Sequence, residues 1–253
     1  MKNILLGVLL ILSLLSCRSN ISQRQTSLNC ARFVSELPDT GWVRTNSNGR
    51  GFLAAIVDSP HGGIVFNSGD SLKELPRELV CFKKLRRLII SSSPNIDFSK
   101  AIQLATQLPN LQELYLTENN IKHLPKNIDK LENLKILGVD YNPIAKFPRQ
   151  IKHLKQLKEL VLINDKNLDF NNLLSLIKNL PITYLDVRGC NIKKLSPAID
   201  EMKYLEKIDL TGNPLNELPC EINNLKNCRI VLSKDIDKNV IPPCLKDYPF
   251  EFR

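Results

Sequence analysis

The chain has 253 residues, 43% of them hydrophobic and 24% charged, an ordinary composition for a globular protein and enough length for one sizeable core or one elongated array. Lys and Arg outnumber Asp and Glu by 35 to 26, a net charge of +9, but no block of five or six like charges occurs. The surplus fits phosphate, nucleic acid or an anionic membrane as partner and does not decide among them.

The N-terminus reads as a targeting segment. Lys2 is followed by an almost unbroken apolar run over residues 4–15, too short to span roughly 30 Å of hydrocarbon as a helix. A charged start, an apolar run and a small residue are the layout of a secretory signal peptide, here residues 1–16. Leu14-Leu15-Ser16-Cys17 resembles the bacterial lipobox. That resemblance implies a diacylglyceryl thioether on Cys17, with a third acyl chain on its amine, and several chains anchor stably where one is marginal. The residue after Cys17 is Arg18 and not the Asp that in such proteins retains the anchor at the inner membrane, so the expectation is an outer-membrane or cell-surface lipoprotein.

Residues 17–61 are expected to be a tether and an N-terminal cap, irregular or hairpin-like around Gly41, Trp42 and Gly51. Residues 64–66 and Leu72 to Pro76 look like a degraded first repeat. Six full units come after it. Leu, two residues, Leu, one residue, aliphatic recurs as Leu85-Leu88-Ile90, Leu111-Leu114-Leu116, Leu134-Leu137-Val139, Leu157-Leu160-Leu162, Ile182-Leu185-Val187 and Leu205-Ile208-Leu210. Successive units start 26, 23, 23, 25 and 23 residues apart. Asn119, Asn142 and Asn213 hold one later column, with Cys190 in that place in the fifth unit. Leu124-Pro125, Phe147-Pro148 and Leu218-Pro219 hold another, where the fifth unit departs with Leu195-Ser196. Pairs such as Ile128 and Leu131, or Ile151 and Leu154, close each unit.

These columns have a physical reading. The Leu-x-aliphatic segment is a strand with alternating faces, paired in parallel with its neighbours. The Asn amide both donates and accepts, and so satisfies turn backbones that would otherwise be buried unpaired. The cysteine thiol is a weaker donor in the same place. No unit can bury its apolar face alone, so stacked units share one core. The pattern, over residues 62–232, resembles the 23-residue leucine-rich repeat of the Leu-Pro subtype. The resemblance implies an α/β fold: a solenoid with a parallel concave β-sheet, short convex helical turns and capped ends, the last cap being residues 233–253. Units one and four are long and share Asn95-Ile96-Asp97-Phe98 and Asn167-Leu168-Asp169-Phe170, each followed by helical apolar spacing. The array therefore reads long-short-short twice, as from duplication of a three-unit block, and lengthened helices are expected in those two units.

Besides Cys17 there are six cysteines, Cys30, Cys81, Cys190, Cys220, Cys228 and Cys244. Export permits disulfides, and 15 full pairings remain open. Their clustering at the two ends of the array is the arrangement by which extracellular repeat arrays staple their ends.

The alternate strand residues and those just after them should face outward on the concave side. They include the acids Glu113, Glu118, Asp140, Glu159, Asp186 and Asp209, against Arg87, Arg188 and Lys207, a formal strip charge of −3 in a chain of +9. Tyr115, Tyr141, Tyr184, Ile136, Val161 and Ile163 lie among them. Tyrosines with exposed aliphatics make a binding face, so the expected partner is a protein, basic and partly apolar, bound by a monomer. An acidic face on an exported chain argues against nucleic acid. The remaining lysines, among them Lys126, Lys130, Lys152, Lys155 and Lys158, fall outside the strip as a basic flank, read as a solvated face or a surface for anionic headgroups.

Catalytic signals are scarce. His61, His123 and His153 are dispersed without metal-ligand spacing, and there is no P-loop or dinucleotide motif, so neither metal nor cofactor is expected. Asp140 and Glu159 are the candidate carboxylate pair for a hydrolase, the least favoured of three readings. A structural envelope lipoprotein without a dedicated ligand stands second, and a membrane-anchored protein-binding module first.

Overall fold

The computed structural model of the chain describes residues 41–45, 52–57, 63–67, 72–75 and 77–253, the first two segments by backbone alone. The apolar N-terminal run, Cys17, Cys30 and His61 lie outside the described residues. Two compact units are distinguished, Met1–Leu111 and Gln112–Arg253.

In the first unit, strands β1 (Gly41–Thr45) and β2 (Phe52–Val57) form an antiparallel pair, and β2 continues antiparallel to β3 (Gly63–Asn67). β3 then pairs in parallel with β4 (Arg87–Ser91), placing Ile64 beside Leu88 and Phe66 beside Ile90. These four side chains are buried. β1 and β2 fall within residues 17–61, and with β3 they form an antiparallel meander. The switch to parallel pairing at β3 is the start of the repeat. The helix α1 (Phe98–Ala105) packs Ala101, Ile102 and Ala105 inward.

In the second unit, seven short strands pair in parallel in chain order: β5 (Glu113–Thr117), β6 (Ile136–Gly138), β7 (Glu159–Val161), β8 (Tyr184–Asp186), β9 (Lys207–Asp209), β10 (Arg229–Leu232) and β11 (Glu251–Phe252). The inward residues Leu114, Leu137, Leu160, Leu185, Ile208 and Ile230 form one buried row across the sheet. Fully burying each such side chain stabilises the array by roughly 1.5–3 kcal/mol. The pattern ends at Leu232, but β11 adds one more strand beyond it.

The units differ in the segment that returns the chain after each strand, and their lengths decide it. In the 23-residue units the return is a five-residue 3-10 turn, as in Lys126–Lys130, Arg149–His153 and Cys220–Asn224. Pro125, Pro148 and Pro219 precede these turns in extended geometry with ψ near 143–145°. Ser196 takes the same conformation, its hydroxyl accepts from Ala198 N–H, and Pro197 moves one residue into the turn, which accounts for the departure of the fifth unit. Each turn closes on a buried leucine or methionine with ψ of 60–70°, near an inverse γ-turn. The two long units have room for a real helix instead: α1 and α2 (Phe170–Ile177) are eight residues each. Asp97 and Asp169 cap them by accepting from Lys100 and Asn172 N–H. The lengthened helices read from the shared Asn-x-Asp-Phe segments are present.

The Asn column forms a ladder between coils. Asn142 Oδ1 accepts from Asn119 and Ile121 N–H, and Asn142 Nδ2 donates to Leu116 and Val139 carbonyls. Asn213 repeats this against Ile192, Val187 and Leu210. Cys190 substitutes in part: its thiol donates to the Leu162 carbonyl at 2.7 Å. The fourth unit holds Asp165 in this column, fully buried. Asp165 Oδ1 accepts from Asn142 N–H, but Oδ2 has no hydrogen-bond partner.

A disulfide joins Cys220 to Cys244, 24 residues apart, and fastens the closing segment to the last 3-10 turn of the repeats. Tyr248 reinforces it by donating to the Cys228 and Leu225 carbonyls. Cys81 is disulfide-bonded as well, while Cys190 and Cys228 are free thiols in the core. Burial pushes both thiols up to about 12, so neither is a nucleophile at neutral pH.

Candidate functional site

Side chains alternate along each strand, so the residues between the buried ones form the open face of the sheet in the second unit. Strand register arranges them in two rows. One runs Glu113, Ile136, Glu159, Tyr184, Lys207, Arg229. The other runs Tyr115, Gly138, Val161, Asp186, Asp209, Val231. Asp140, Ile163 and Arg188 continue the same face at the strand exits.

Across β5–β7 this face is apolar and acidic. Tyr115, Ile136, Val161 and Ile163 are half-buried, as are Glu113 and Glu159, while Glu118 is exposed. A methyl group on Gly138 would lie 2.4 Å from the Tyr115 ring, so only glycine lets that ring lie flat on its neighbouring strand. Tyr141 is the most exposed aromatic of the face, at 54%.

Tyr141 also has an unusual backbone. The residue just before the Asn column lies in the left-handed region in every full unit: Ser92, Glu118, Tyr141, Asn164, Gly189 and Gly212. Glycine takes that conformation without cost, and a bulky residue with a φ of +55° is strained by roughly 1–2 kcal/mol. A large exposed aromatic at a glycine-type position does not serve stability.

Across β8–β10 the face carries a network. Arg188 Nε and a terminal nitrogen donate to both oxygens of Asp186 at 2.8 and 2.7 Å, and Tyr184 donates to the same carboxylate at 3.0 Å. Arg188 also lies 3.9 Å from Asp209, whose carboxylate accepts from the Thr211 hydroxyl and amide. Lys207 Nζ sits 4.8 Å above the Tyr184 ring. Burial and the Asp186 charge push the Tyr184 phenol up to about 12, and the Asp186 hydrogen bond raises Arg188 further. Beside this network an open groove of about 700 Å³ is lined by Glu159, Thr183, Tyr184, Glu206, Lys207, Asn227 and Arg229.

The expected strip is thus assembled, with one correction. Asp140, Asp186 and Asp209 are buried, at 8, 2 and 2% exposure. Asp186 and Asp209 share Arg188. Asp140 Oδ1 holds Ile163 N–H, and its burial raises its pKa. These three carboxylates are structural, so the formal strip charge of −3 does not describe the exposed face. The exposed and half-buried charges instead segregate, with Glu113, Glu118 and Glu159 on β5–β7 and Arg188, Lys207 and Arg229 on β8–β10. Arg229 escapes the sequence pattern because β10 pairs Arg229 with Lys207, one residue short of the 23-residue step. Asp140 is committed to a backbone amide, which weakens it as half of a hydrolytic pair with Glu159. Among the described residues no group of His, Cys, Asp or Glu could hold a metal ion.

The repeats match the leucine rich repeat family over residues 83–144 and again over 204–228. The fold is that of a leucine-rich-repeat solenoid. The chain is similar to the leucine-rich repeat domain of the type III effector XopL, with 28% identity, 64% of this chain and 57% of that one covered, and a TM-score of 0.49. Internalin C2 of Listeria monocytogenes superposes with a TM-score of 0.51 over 75% of this chain and 80% of that one, at 16% identity. Toll, in the Drosophila Toll–Spatzle complex, does so at 0.53 over 70% and 28%, at 22% identity. This chain therefore spans little more than half of the effector domain and about a quarter of the receptor. The last two likenesses concern the fold. A search of curated proteins returns no significant match. Leucine-rich-repeat proteins generally mediate protein–protein interaction, and the fold is typically a non-enzymatic scaffold presenting an extended surface.

Proposed function

We propose that this chain is an exported, lipid-anchored binding module whose open sheet face takes a protein partner. The observation that carries the reading is Tyr141, 54% exposed and held at φ +55° where two other units have glycine. It stands among Tyr115, Ile136, Val161 and Ile163, with Glu113, Glu118 and Glu159 around them. Such a patch fits a partner segment that is basic and partly apolar, with the tyrosines as anchors inside a polar rim. Tyr184 is a poorer candidate for direct contact, since its hydroxyl is committed to Asp186.

The decisive variant is Tyr141→Gly with Ile163→Ser. Glycine relieves the strained backbone, so the thermal midpoint should hold or rise while capture of the partner from an envelope extract falls at least tenfold. Unchanged capture would remove this assignment.

The anchor is supported by the signal-like N-terminus and the Leu-Leu-Ser-Cys segment ending at Cys17. Expression in a bacterial host with labelled palmitate should give a labelled product that partitions with the outer membrane. Cys17→Ala should abolish the label. Labelling that persists in Cys17→Ala would show that the acyl group is elsewhere.

A further inference from the structure

A second surface of the array, formed by the 3-10 turns and away from the open sheet face, has a charge pattern that partner binding does not use. On the last two coils of the second unit the cations Lys193, Lys194, Lys203 and Lys226 on this side stand among as many acids, Asp200, Glu201, Glu217 and Glu221. Two cations are neutralised one coil further on, Lys178 by Glu201 and Lys194 by Glu217, each at 2.6 Å. Coils two and three carry more cations than acids. Their 3-10 turns, Lys126–Lys130 and Arg149–His153, pack side by side, and His123 and Lys146 bridge the segments leading into them. Here Lys126, Lys130, Lys146, Arg149, Lys152 and Lys155 are all exposed, and none makes an ion pair with a described residue. The acids nearby are Asp129, which faces His153 at 3.6 Å, Glu132, and Asp169, whose amide bonds the Ala145 carbonyl beside Lys146 and whose carboxylate caps α2. Beyond, α2 exposes Asn171 and Ser175, so the cationic area ends where the long coil begins.

We propose that this two-coil basic surface docks onto an anionic phospholipid membrane. The cations are lysines and one arginine on exposed turns that contain no Phe, Tyr or Trp, as suits a layer of phosphate headgroups better than a nucleic acid strand. On these two coils six exposed cations stand against Asp129 and Glu132, whereas on the last two coils cations and acids balance, so the positive charge is concentrated in one area. Contact through this side leaves the open sheet face free for its own partner.

The test uses the full chain and the ratio of its affinities for two vesicle types, so that any acyl anchor or apolar N-terminus cancels. The probes are vesicles of phosphatidylcholine alone and vesicles with about a third phosphatidylglycerol, and each cation near such a surface is worth about fivefold in affinity. The wild-type chain should prefer the anionic vesicles by at least tenfold. That preference should vanish at about 0.5 M salt, where screening shortens to a few ångströms. The Lys126→Gln, Arg149→Gln, Lys152→Gln, Lys155→Gln variant should lose it, with an unchanged thermal midpoint, whereas Lys207→Gln with Arg229→Gln on the sheet face should keep it. Equal binding to both vesicle types overturns the proposal, as does a preference that tracks Lys207 and Arg229. So does a cation-dependent affinity for single-stranded RNA of the same order as that for the anionic vesicles. Partner capture through Tyr141 is unaffected by any of these outcomes, so the two surfaces fail separately.

Discussion

Replacing Asp165 by asparagine should raise the thermal midpoint at pH 7–8 and flatten its dependence on pH. Asp165 stands in the ladder column where Asn142 and Asn213 each donate through an amide to two carbonyls. By the same spacing those carbonyls are Val139 and Leu162 for position 165. A carboxylate can donate to neither, and a protonated carboxyl to only one. Its Oδ2 is buried and unpartnered, and burial raises the group from 3.8 to about 8, with the Asn142 amide opposing and the Asp140 charge adding. The sign comes from linkage. The unfolded carboxyl ionises near 3.9, while the folded one keeps its proton until about pH 8. Stability is therefore full below pH 4, declines as pH rises, and reaches its floor above pH 8. At about 1.4 kcal/mol per pH unit the displacement sets a ceiling near 6 kcal/mol, and relaxation of the site should leave roughly 2–4. Asparagine carries no charge and supplies the second donor. Thermal melts from pH 4 to 9 should show a midpoint that falls for the wild type and stays level for Asp165→Asn. Parallel curves, or a variant less stable at every pH, would show that the carboxyl is better accommodated than its contacts imply.

The second large effect is expected at Arg188. Asp186 and Asp209 are paired residues on neighbouring strands, with side chains 3 and 4% exposed, and Arg188 is the cation that lies against both. Arg188→Ala leaves two like charges opposite each other on a largely desolvated part of the sheet. A broken buried pair costs about 3–5 kcal/mol, but the arginine is 44% exposed, so solvent screening reduces the expected loss to about 2 kcal/mol in urea unfolding. Adding Asp186→Asn should return part of it by removing one of the two charges. A variant as stable as the wild type would mean that water or Lys207 already solvates these carboxylates.

Much of this molecule is legible in its sequence, because a repeat writes the same physical requirement many times. The aliphatic columns, the Asn column with Cys190 in it, and the two helix-bearing long units all appear where the spacing puts them. Local chemistry explains the rest of each coil: a proline before the turn, a serine cap where proline has shifted, an aspartate cap where a helix replaces the turn. The sites where the reading fails are those where several coils act together. Asp165 enters no column until the fourth unit is aligned with Asn142, because that unit carries an acid where an amide belongs. Arg229 is displaced by a one-residue shortening before β10, which changes which side chains share a face. The added strand β11 has too little pattern, two residues, to announce itself.

By itself the sequence determined most of the architecture: where the six full coils lie, which of their residues face the core, which units are long, and which side chains stand on the outward side of those strands. Those come from periodicity, since a side chain one position along a strand must point the other way. Only the tertiary structure decided which of the face's charges are exposed. Asp140, Asp186 and Asp209 stand on the correct side of their strands, yet neighbouring coils bury them and supply Ile163 N–H, Arg188 and Thr211 as partners. Whether a carboxylate is a surface charge or a structural acceptor depends on contacts between residues about 23 positions apart, and alternation along a single strand carries no record of them.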